Sequence, residues 1–250
     1  METSRREVAR LIREEGRVVA FTGAGISVES GIPAFRGGQG LWEKYDPMEY
    51  AHIEAFLRQP DKVWSMLREM GEAVFRAAPS PAHRALGALE KAGLLSAVIT
   101  QNVDGLHQIA GNSNVIEYHG NHRRLVCLNC ARTSAFTEDA LTRMPYPMCD
   151  RCGEALKPDV VFFGEGIPVA AMARANLEAA ACRIMMIIGT SGAVYPAADI
   201  PFMASRKGAK IVEINVSPTS FTSSITHHFL EGSASAVMDA LLDDLGLARA

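Results

Sequence analysis

Arg17-Val18-Val19-Ala20-Phe21, followed at once by Thr22-Gly23-Ala24-Gly25, is the stretch on which the fold turns. Its apolar residues run consecutively instead of alternating with polar ones, the pattern of a strand buried on both faces of a parallel sheet. Three further β-branched or apolar runs, Ser96–Ile99, Ile184–Ile188 and Lys210–Ile214, likewise lack strict alternation. Each is followed by a loop of small and polar residues, namely Thr100-Gln101-Asn102-Val103-Asp104, Gly189-Thr190-Ser191 and Asn215-Val216-Ser217. In open α/β sheets the loops at the carboxyl ends of the strands form the ligand crevice, so these four loops are expected to converge.

Working outward, Met1–Gly16 carries Val8, Leu11 and Ile12 in an amphipathic pattern and reads as a first helix, not a secretory signal. Ser233–Leu247 reads as a closing helix. Between the first two strands, Phe56, Val63, Met66, Leu67, Met70 and Val74 recur at helical spacing over a segment too long for one crossover. The expected architecture is α/β: a Rossmann-like parallel sheet from 1–46, 94–120 and 159–250, interrupted by a helical insertion at 47–93 and, at 121–158, by a module with little helical periodicity whose two close cysteine pairs mark it as zinc-binding.

The chain has 250 residues, 48% hydrophobic and 21% charged, enough to bury a substantial core. The 25 basic and 28 acidic residues leave a net charge of −3, so no global positive field draws it to nucleic acid or anionic membrane. No apolar run approaches the ~18–20 residues of a membrane span, and a cytoplasmic location is expected. Partner recognition must then be local, and the oligomeric state is not legible.

Five cysteines are too few for a disulfide scaffold at this length. Cys127-x2-Cys130, eighteen residues, then Cys149-x2-Cys152 is the spacing of a four-thiolate zinc site. Four protein ligands close the coordination sphere, so one structural Zn2+ is expected, with no open position for a reactive water. Cys182, before an apolar strand, reads as a packing residue, and His122 is not needed as a fifth ligand. The Gly23-x-Gly25 turn, taken alone, is as consistent with a plain tight turn as with a phosphate-binding helix start, because position 28 of the usual three-glycine pattern is Val28.

What decides that turn is its continuation, Ile26-Ser27-Val28-Glu29-Ser30-Gly31-Ile32-Pro33-Ala34-Phe35-Arg36-Gly37, taken with Gln101-Asn102-Val103-Asp104, His119-Gly120, the two cysteine pairs, Phe163-Gly164-Glu165, Gly189-Thr190-Ser191 and Asn215. In that order, from about Val18 to Val237, the chain resembles the sirtuins, the NAD-dependent protein deacylases. The resemblance implies that NAD is a cosubstrate and that the partners are acyl-lysine proteins or peptides. It implies NAD contacts from Gly23, Ala24, Gly25, Ser27, Phe35, Arg36 and Trp42, and from Gly189, Thr190, Ser191, Asn215 and Ala234 toward the adenosine half. It places Asn102 and Asp104 beside the nicotinamide pocket as catalytic groups, with Gln101 on the ribose. His119 becomes the general base, a task suited to an imidazole near pH 7. Val160, Val161, Phe162, Phe163 and Gly164 become the extended segment that pairs with substrate backbone.

The chemistry so implied is attack of the acyl-lysine oxygen on C1′ of the ribose with loss of nicotinamide. Proton removal by His119 and collapse to free lysine and 2′-O-acyl-ADP-ribose follow. Two other readings stay open: an ADP-ribosyltransferase or NAD glycohydrolase using the same C1′ chemistry, and a non-enzymatic NAD- or nucleic-acid-binding zinc module. The last is disfavoured because residues 121–160 carry six basic against five acidic residues and form no basic face.

Two departures narrow the family. Ala34 stands where many sirtuins carry Asp, as in bacterial and archaeal forms related to desuccinylases. Those enzymes hold the acyl carboxylate with a Tyr and an Arg three residues apart, where this chain has Leu67 and Met70. Acetyl or longer apolar acyl groups are therefore expected over succinyl, unless Arg68 turns inward; its expected place is a solvated helix face.

Overall fold

The computed structural model describes residues 2–35 and 40–248. Within them the strands are β1 (Val18–Thr22), β2 (Leu95–Thr100), β3 (Val115–Glu117), β4 (Gly120–Cys127), β5 (Thr133–Ala135), β6 (Leu156–Val160), β7 (Ile184–Ile188), β8 (Lys210–Asn215) and β9 (His228–Glu231). The α-helices are α1 (Glu2–Glu15), α2 (Leu41–Lys44), α3 (Pro47–Tyr50), α4 (Ile53–Arg58), α5 (Pro60–Arg76), α6 (Pro81–Lys91), α7 (Leu106–Ile109), α8 (Asp139–Thr142), α9 (Val169–Ala181), α10 (Asp199–Arg206) and α11 (Ala234–Leu245).

Six strands form one sheet in the order β3-β2-β1-β7-β8-β9, each neighbouring pair parallel. The unbroken apolar runs have a direct cause. Val18 and Ala20 of β1 point into one core with α1, α6 and α11, while Val19 and Phe21 point into a second with α9 and α10. β7 divides in the same way, Ile184, Met186 and Ile188 to the first core and Met185 and Ile187 to the second. With both faces covered, neither face of these central runs meets solvent, and apolar residues follow one another without alternation. The chain runs from β1 to β2 and β3 on one side, then crosses back to β7, β8 and β9 on the other. The order therefore reverses at β1, and a crevice opens at that switch point.

The span 47–93 divides where sequence periodicity reads it as one insertion. α6 belongs to the sheet: Ala82, Ala85, Leu86 and Leu89 fill the first core against α1 and α11. Ser80 caps it, with Pro81 in its first turn. Only α2 to α5 stand apart, and they do not form a lobe alone. Phe56, Val63, Trp64 and Met66 share a third core with Leu125, Phe136, Leu141, Leu156 and Phe162. The cysteine-bearing segment supplies those partners through a small antiparallel sheet, β5-β4-β6. Two interruptions distant in sequence thus make one second lobe, because each alone is too small to bury its apolar side. Trp64 joins them by donating from Nε1 to Leu156 O at 2.9 Å.

The element after Gly23-x-Gly25 is a 3₁₀ helix, Ala24–Ser30, where the turn would ordinarily open an α-helix. Its opening bond is the i+3 contact from Ile26 N to Gly23 O, 3.2 Å, and the Gly25 N–H is used elsewhere, on Gly189 O at 2.8 Å.

Candidate active site

The four expected loops meet at the carboxyl edge of the sheet and, with the second lobe opposite, enclose a cleft of about 730 Å³. They are bound to one another before any ligand is considered. A Cβ on Gly25 would lie 2.6 Å from Gly189 Cα, so the two loops touch backbone to backbone and only glycine fits. Gln101 Nε2 donates to Thr190 Oγ1 at 2.9 Å, and Asn215 Nδ2 to Thr190 O at 3.0 Å. Gly23, Ala24, Gly25, Gln101, Gly189, Thr190, Ser191 and Asn215 all border the cleft, and Ala234, at the start of α11, closes its far end. Phe35 and Trp42 also border it, stacked with centroids 5.2 Å apart. Arg36 lies outside the described residues.

His119 faces the cleft from the turn between β3 and β4. Its Nδ1 donates to Gln101 O at 3.1 Å, and since a carbonyl only accepts, the ring's lone pair is on Nε2. Burial pushes its pKa below the ordinary imidazole value and so favours the neutral ring at pH 7, an effect that the bond to Gln101 O opposes only in part. The glycine that follows is dictated by packing: at φ +75°, a Cβ on Gly120 would lie 2.1 Å from Asp159 O. Neighbouring His122 turns away, its Nδ1 donating to Val103 O at 2.7 Å.

A second cavity of about 230 Å³ lies deeper. Ser27 and Asp104 line this one and not the main cleft, while Asn102 borders both. Three buried polar groups form a chain: Asn102 Nδ2 donates to Ser27 Oγ at 3.0 Å, and Ser27 donates to Asp104 Oδ2 at 2.7 Å. The second carboxylate oxygen accepts Leu106 N at 2.9 Å. Asn102 is further held by Gly23 O at 3.1 Å, so its amide cannot flip without losing a bond. With Ile32, Pro33 and Val74 around them, these groups make an apolar box with an amide and a carboxylate set in its wall.

The opposite wall comes from the second lobe. Leu67 and Met70, with Met66, line it from α5, and Val160–Gly164 crosses below. Arg68 is neither turned inward nor merely solvated: Nε donates to Leu141 O at 3.0 Å, and the terminal nitrogen to Arg143 O at 3.1 Å and to Pro145 O. The last turn of α8 and the segment that follows it thus engage it. The 160–164 segment is tied down on both sides, Val161 N to His119 O at 2.8 Å and Phe163 N to Ala51 O at 2.9 Å. Beneath it the buried Lys157 ammonium meets Glu165 at 2.9 Å, and Glu165 in turn accepts Phe162 N at 2.8 Å. Val161 C=O and Gly164 N–H have no partner among the described residues.

The sulfurs of Cys127, Cys130, Cys149 and Cys152 lie within 4.8 Å of one another, with pairs at 3.5 and 3.6 Å. A tetrahedral ion with Zn–S bonds of about 2.3 Å requires sulfurs roughly 3.8 Å apart, so the set fits one zinc. No His or carboxylate joins the group among the described residues. Cys182 is buried in the second core.

Sequence reading missed several cleft residues. Val194, Tyr195 and Pro196 follow Gly189–Ser191 on the same loop, and Pro218 and Thr219 follow Asn215-Val216-Ser217. Extending each carboxyl-end loop to the next helix or turn would have found them. No described helix is long and apolar enough to cross a membrane.

Comparison with known proteins agrees with this geometry. Residues 23–196 match the model of the Sir2 family. A Pyrococcus furiosus NAD-dependent protein deacylase is 44% identical over 243 residues, covering 96% of this chain and 97% of that one. A solved Sir2 homologue mutant in complex with 2′-O-acetyl-ADP-ribose superposes with TM-score 0.91 at 42% identity, over 96% of each chain. A Sir2–p53 peptide–NAD+ complex gives TM-score 0.87 at 34% identity, over 96% of this chain and 98% of that one. With its switch-point cleft, four-thiolate cluster and near-full-length likeness, the chain belongs to the Sir2 family, the sirtuins.

Proposed function

We propose that this protein is an NAD-dependent protein-lysine deacylase that releases nicotinamide, free lysine and 2′-O-acyl-ADP-ribose and favours acetyl or longer apolar acyl groups over succinyl. The observation that carries it is His119: a half-buried, neutral imidazole, locked by Gln101 O with Nε2 free, on the border between the glycine loops and the 160–164 segment. Bound NAD would supply a cationic leaving group on its ribose carbon. The chain's own part is orientation, exclusion of water and one proton transfer.

Gly23–Gly25, Phe35, Trp42, Thr190, Ser191, Asn215 and Ala234 are suited to hold the dinucleotide along the sheet edge. Asn102 and Asp104 suit the deeper box to a carboxamide ring: the aspartate accepts from an amide N–H, and the asparagine amide is already oriented by Gly23 O and Ser27. The Val161 carbonyl and Gly164 amide suit one strand of backbone pairing with a peptide, which is indifferent to most side chains. Zinc held by the four cysteines would stabilise the second lobe, and its closed thiolate set offers no site for reactant.

Acyl choice follows from Met66, Leu67 and Met70. A succinyl carboxylate placed against them would be desolvated without a partner. Arg68, the nearest candidate cation on α5, is committed to three carbonyls.

Incubating the protein with NAD and one peptide carrying acetyl, myristoyl or succinyl lysine, then weighing the peptide, tests the whole reading. Loss of the acyl mass with release of nicotinamide is expected, with higher kcat/KM for acetyl or myristoyl than for succinyl. A gain of ADP-ribose would assign transferase activity instead. His119→Ala should lower turnover by ~10²–10⁴ with zinc content and fold intact. Wild-type turnover in that variant would refute the base assignment.

A further inference from the structure

Glu213 is a carboxylate in the middle of β8, opposite Ile187 on one side and Phe229 on the other, and fully buried. Neither the cleft nor the deeper cavity reaches it. What meets it is a set of hydroxyls: Thr219 Oγ1 donates to Oε1 at 2.5 Å, and Thr222 and Thr226 donate to Oε2 at 2.7 Å each. All three threonines lie on the connection between β8 and β9. The first four residues of that connection, Val216 to Thr219, form the cleft wall beyond Asn215.

The same hydroxyls shape the connection's backbone. Thr219 Oγ1 accepts Phe221 N at 3.1 Å, and Thr222 Oγ1 accepts Thr219 N at 2.8 Å. Each of these two side chains thus accepts from a backbone amide and donates to the carboxylate. Between them Phe221 is driven inward, fully buried against Phe202 and against Gly192 of the neighbouring Gly189–Gly192 loop. One buried charge therefore holds the turn that carries Ser217 and Thr219, and through Phe221 holds that turn against the loop carrying Thr190 and Ser191. A hydrophobic residue at 213 would suit the strand's burial; a carboxylate there needs charge-assisted hydrogen bonds to offset its desolvation.

We infer that Glu213 is a positioning residue for the adenosine end of the cofactor: its three-threonine cage sets the shape of the Val216–Thr219 wall and so the affinity for NAD, without touching the reacting atoms. This rests on the deacylase reading above and adds to it a residue that lies outside the cleft.

The test is Glu213→Gln, which keeps shape and volume, with Thr222→Val as an independent way to open the cage from the other side. ADP-ribose binding is measured by calorimetry, and steady-state kinetics are run with NAD and acetyl-peptide varied separately. Loss of one charge-assisted hydrogen bond is expected to raise the ADP-ribose Kd and the KM for NAD by about tenfold in Glu213→Gln and less in Thr222→Val. The kcat at saturating NAD and the KM for peptide should stay near wild type. Unchanged KM for NAD in both folded variants would overturn the inference. So would a joint rise of both KM values with a fall in kcat, the sign of general loosening. Wild-type protein that fails to bind ADP-ribose or to deacylate would instead remove the underlying reading, and that result is visible before any variant is made.

Discussion

Across the cleft from one another stand two walls made in different ways. On the sheet side, Gly25 and Gly189 meet backbone to backbone, Gln101 and Asn215 are bonded to the same threonine, and Asn102, Ser27 and Asp104 form a closed chain. On the other side, Met66, Leu67 and Met70 project flexible side chains from one helix of a lobe whose core mixes aromatic rings with thiolate sulfurs. The first wall suits a ligand whose shape never varies. The second suits a group whose length can vary, since unbranched Met side chains repack at little cost. The two also depend on different sources of stability: the sheet side on cores with Val18, Val19, Ala20 and Phe21 wholly buried, the second lobe on joining two separate chain segments.

The most damaging way to separate the walls is to remove the metal ligands. Cys149→Ser should lose zinc, unfold β4 to β6 and abolish deacylation, because metal binding at such a site is coupled to folding. Hydrogen exchange is expected to show β1, β7 and β8 still protected in that variant. Equal loss of protection in both lobes would show that they fold as one unit.

A milder comparison substitutes one residue in each wall. Gly25→Ala drives a Cβ into Gly189 and should reduce NAD affinity by two orders of magnitude or more, about 3 kcal/mol, a scale set by backbone overlap that cannot relax. Leu67→Ala should alter kcat/KM several-fold at most and in opposite directions for acetyl and myristoyl substrates. If Leu67→Ala proves the more harmful for NAD binding, the assignment of rigid and adaptable walls is reversed.

A last comparison concerns acid, and bears on stability alone. Beneath the sheet-side wall, His83 and His107 are buried ring against ring at 4.7 Å, His107 also bonded to Thr22 at 2.9 Å. Burial lowers His83 to about 4 and His107 well below 6.5. Because the unfolded chain takes up these protons first, stability is complete above about pH 6.5 and falls as pH drops toward 4. The loss is on the order of 3 kcal/mol for His83 alone. Melting temperature followed from pH 7 to 4.5 should fall over that window, and His83→Gln should flatten the slope. An unchanged slope in that variant would place the acid sensitivity elsewhere.

The parallel strands could be read in sequence because burial on both faces leaves a signal in each strand separately: a short, largely apolar run without strict alternation, such as Ile184–Ile188, needs no knowledge of its neighbours. The four cysteines were legible for a similar reason, since two ligand pairs at short spacing already imply a shared ion. His119, Asn102 and Asp104 came from resemblance. Their chemistry as single residues is ambiguous, and nothing local shows that Asp104 and Ser27 share the deeper cavity while His119 borders the other. The strands β4, β5, β6 and β9 were not seen, as each is short or partly polar, and β6 and β9 pair with strands well back along the chain.

By itself, then, the sequence determined which runs are strands, which loops crown them, which sulfurs gather and which family the order of motifs resembles, because each of these is written in contiguous residues. Tertiary structure alone decided the rest. It returned α6 to the sheet, merged the helices α2 to α5 with the cysteine segment into one core, and gave Arg68 to carbonyls at the end of α8 and beyond it. It caged Glu213 with threonines six, nine and thirteen positions away. Each of those outcomes is a choice among partners for a side chain that could be satisfied in several ways, and such a choice is made only when distant segments compete for the same buried space.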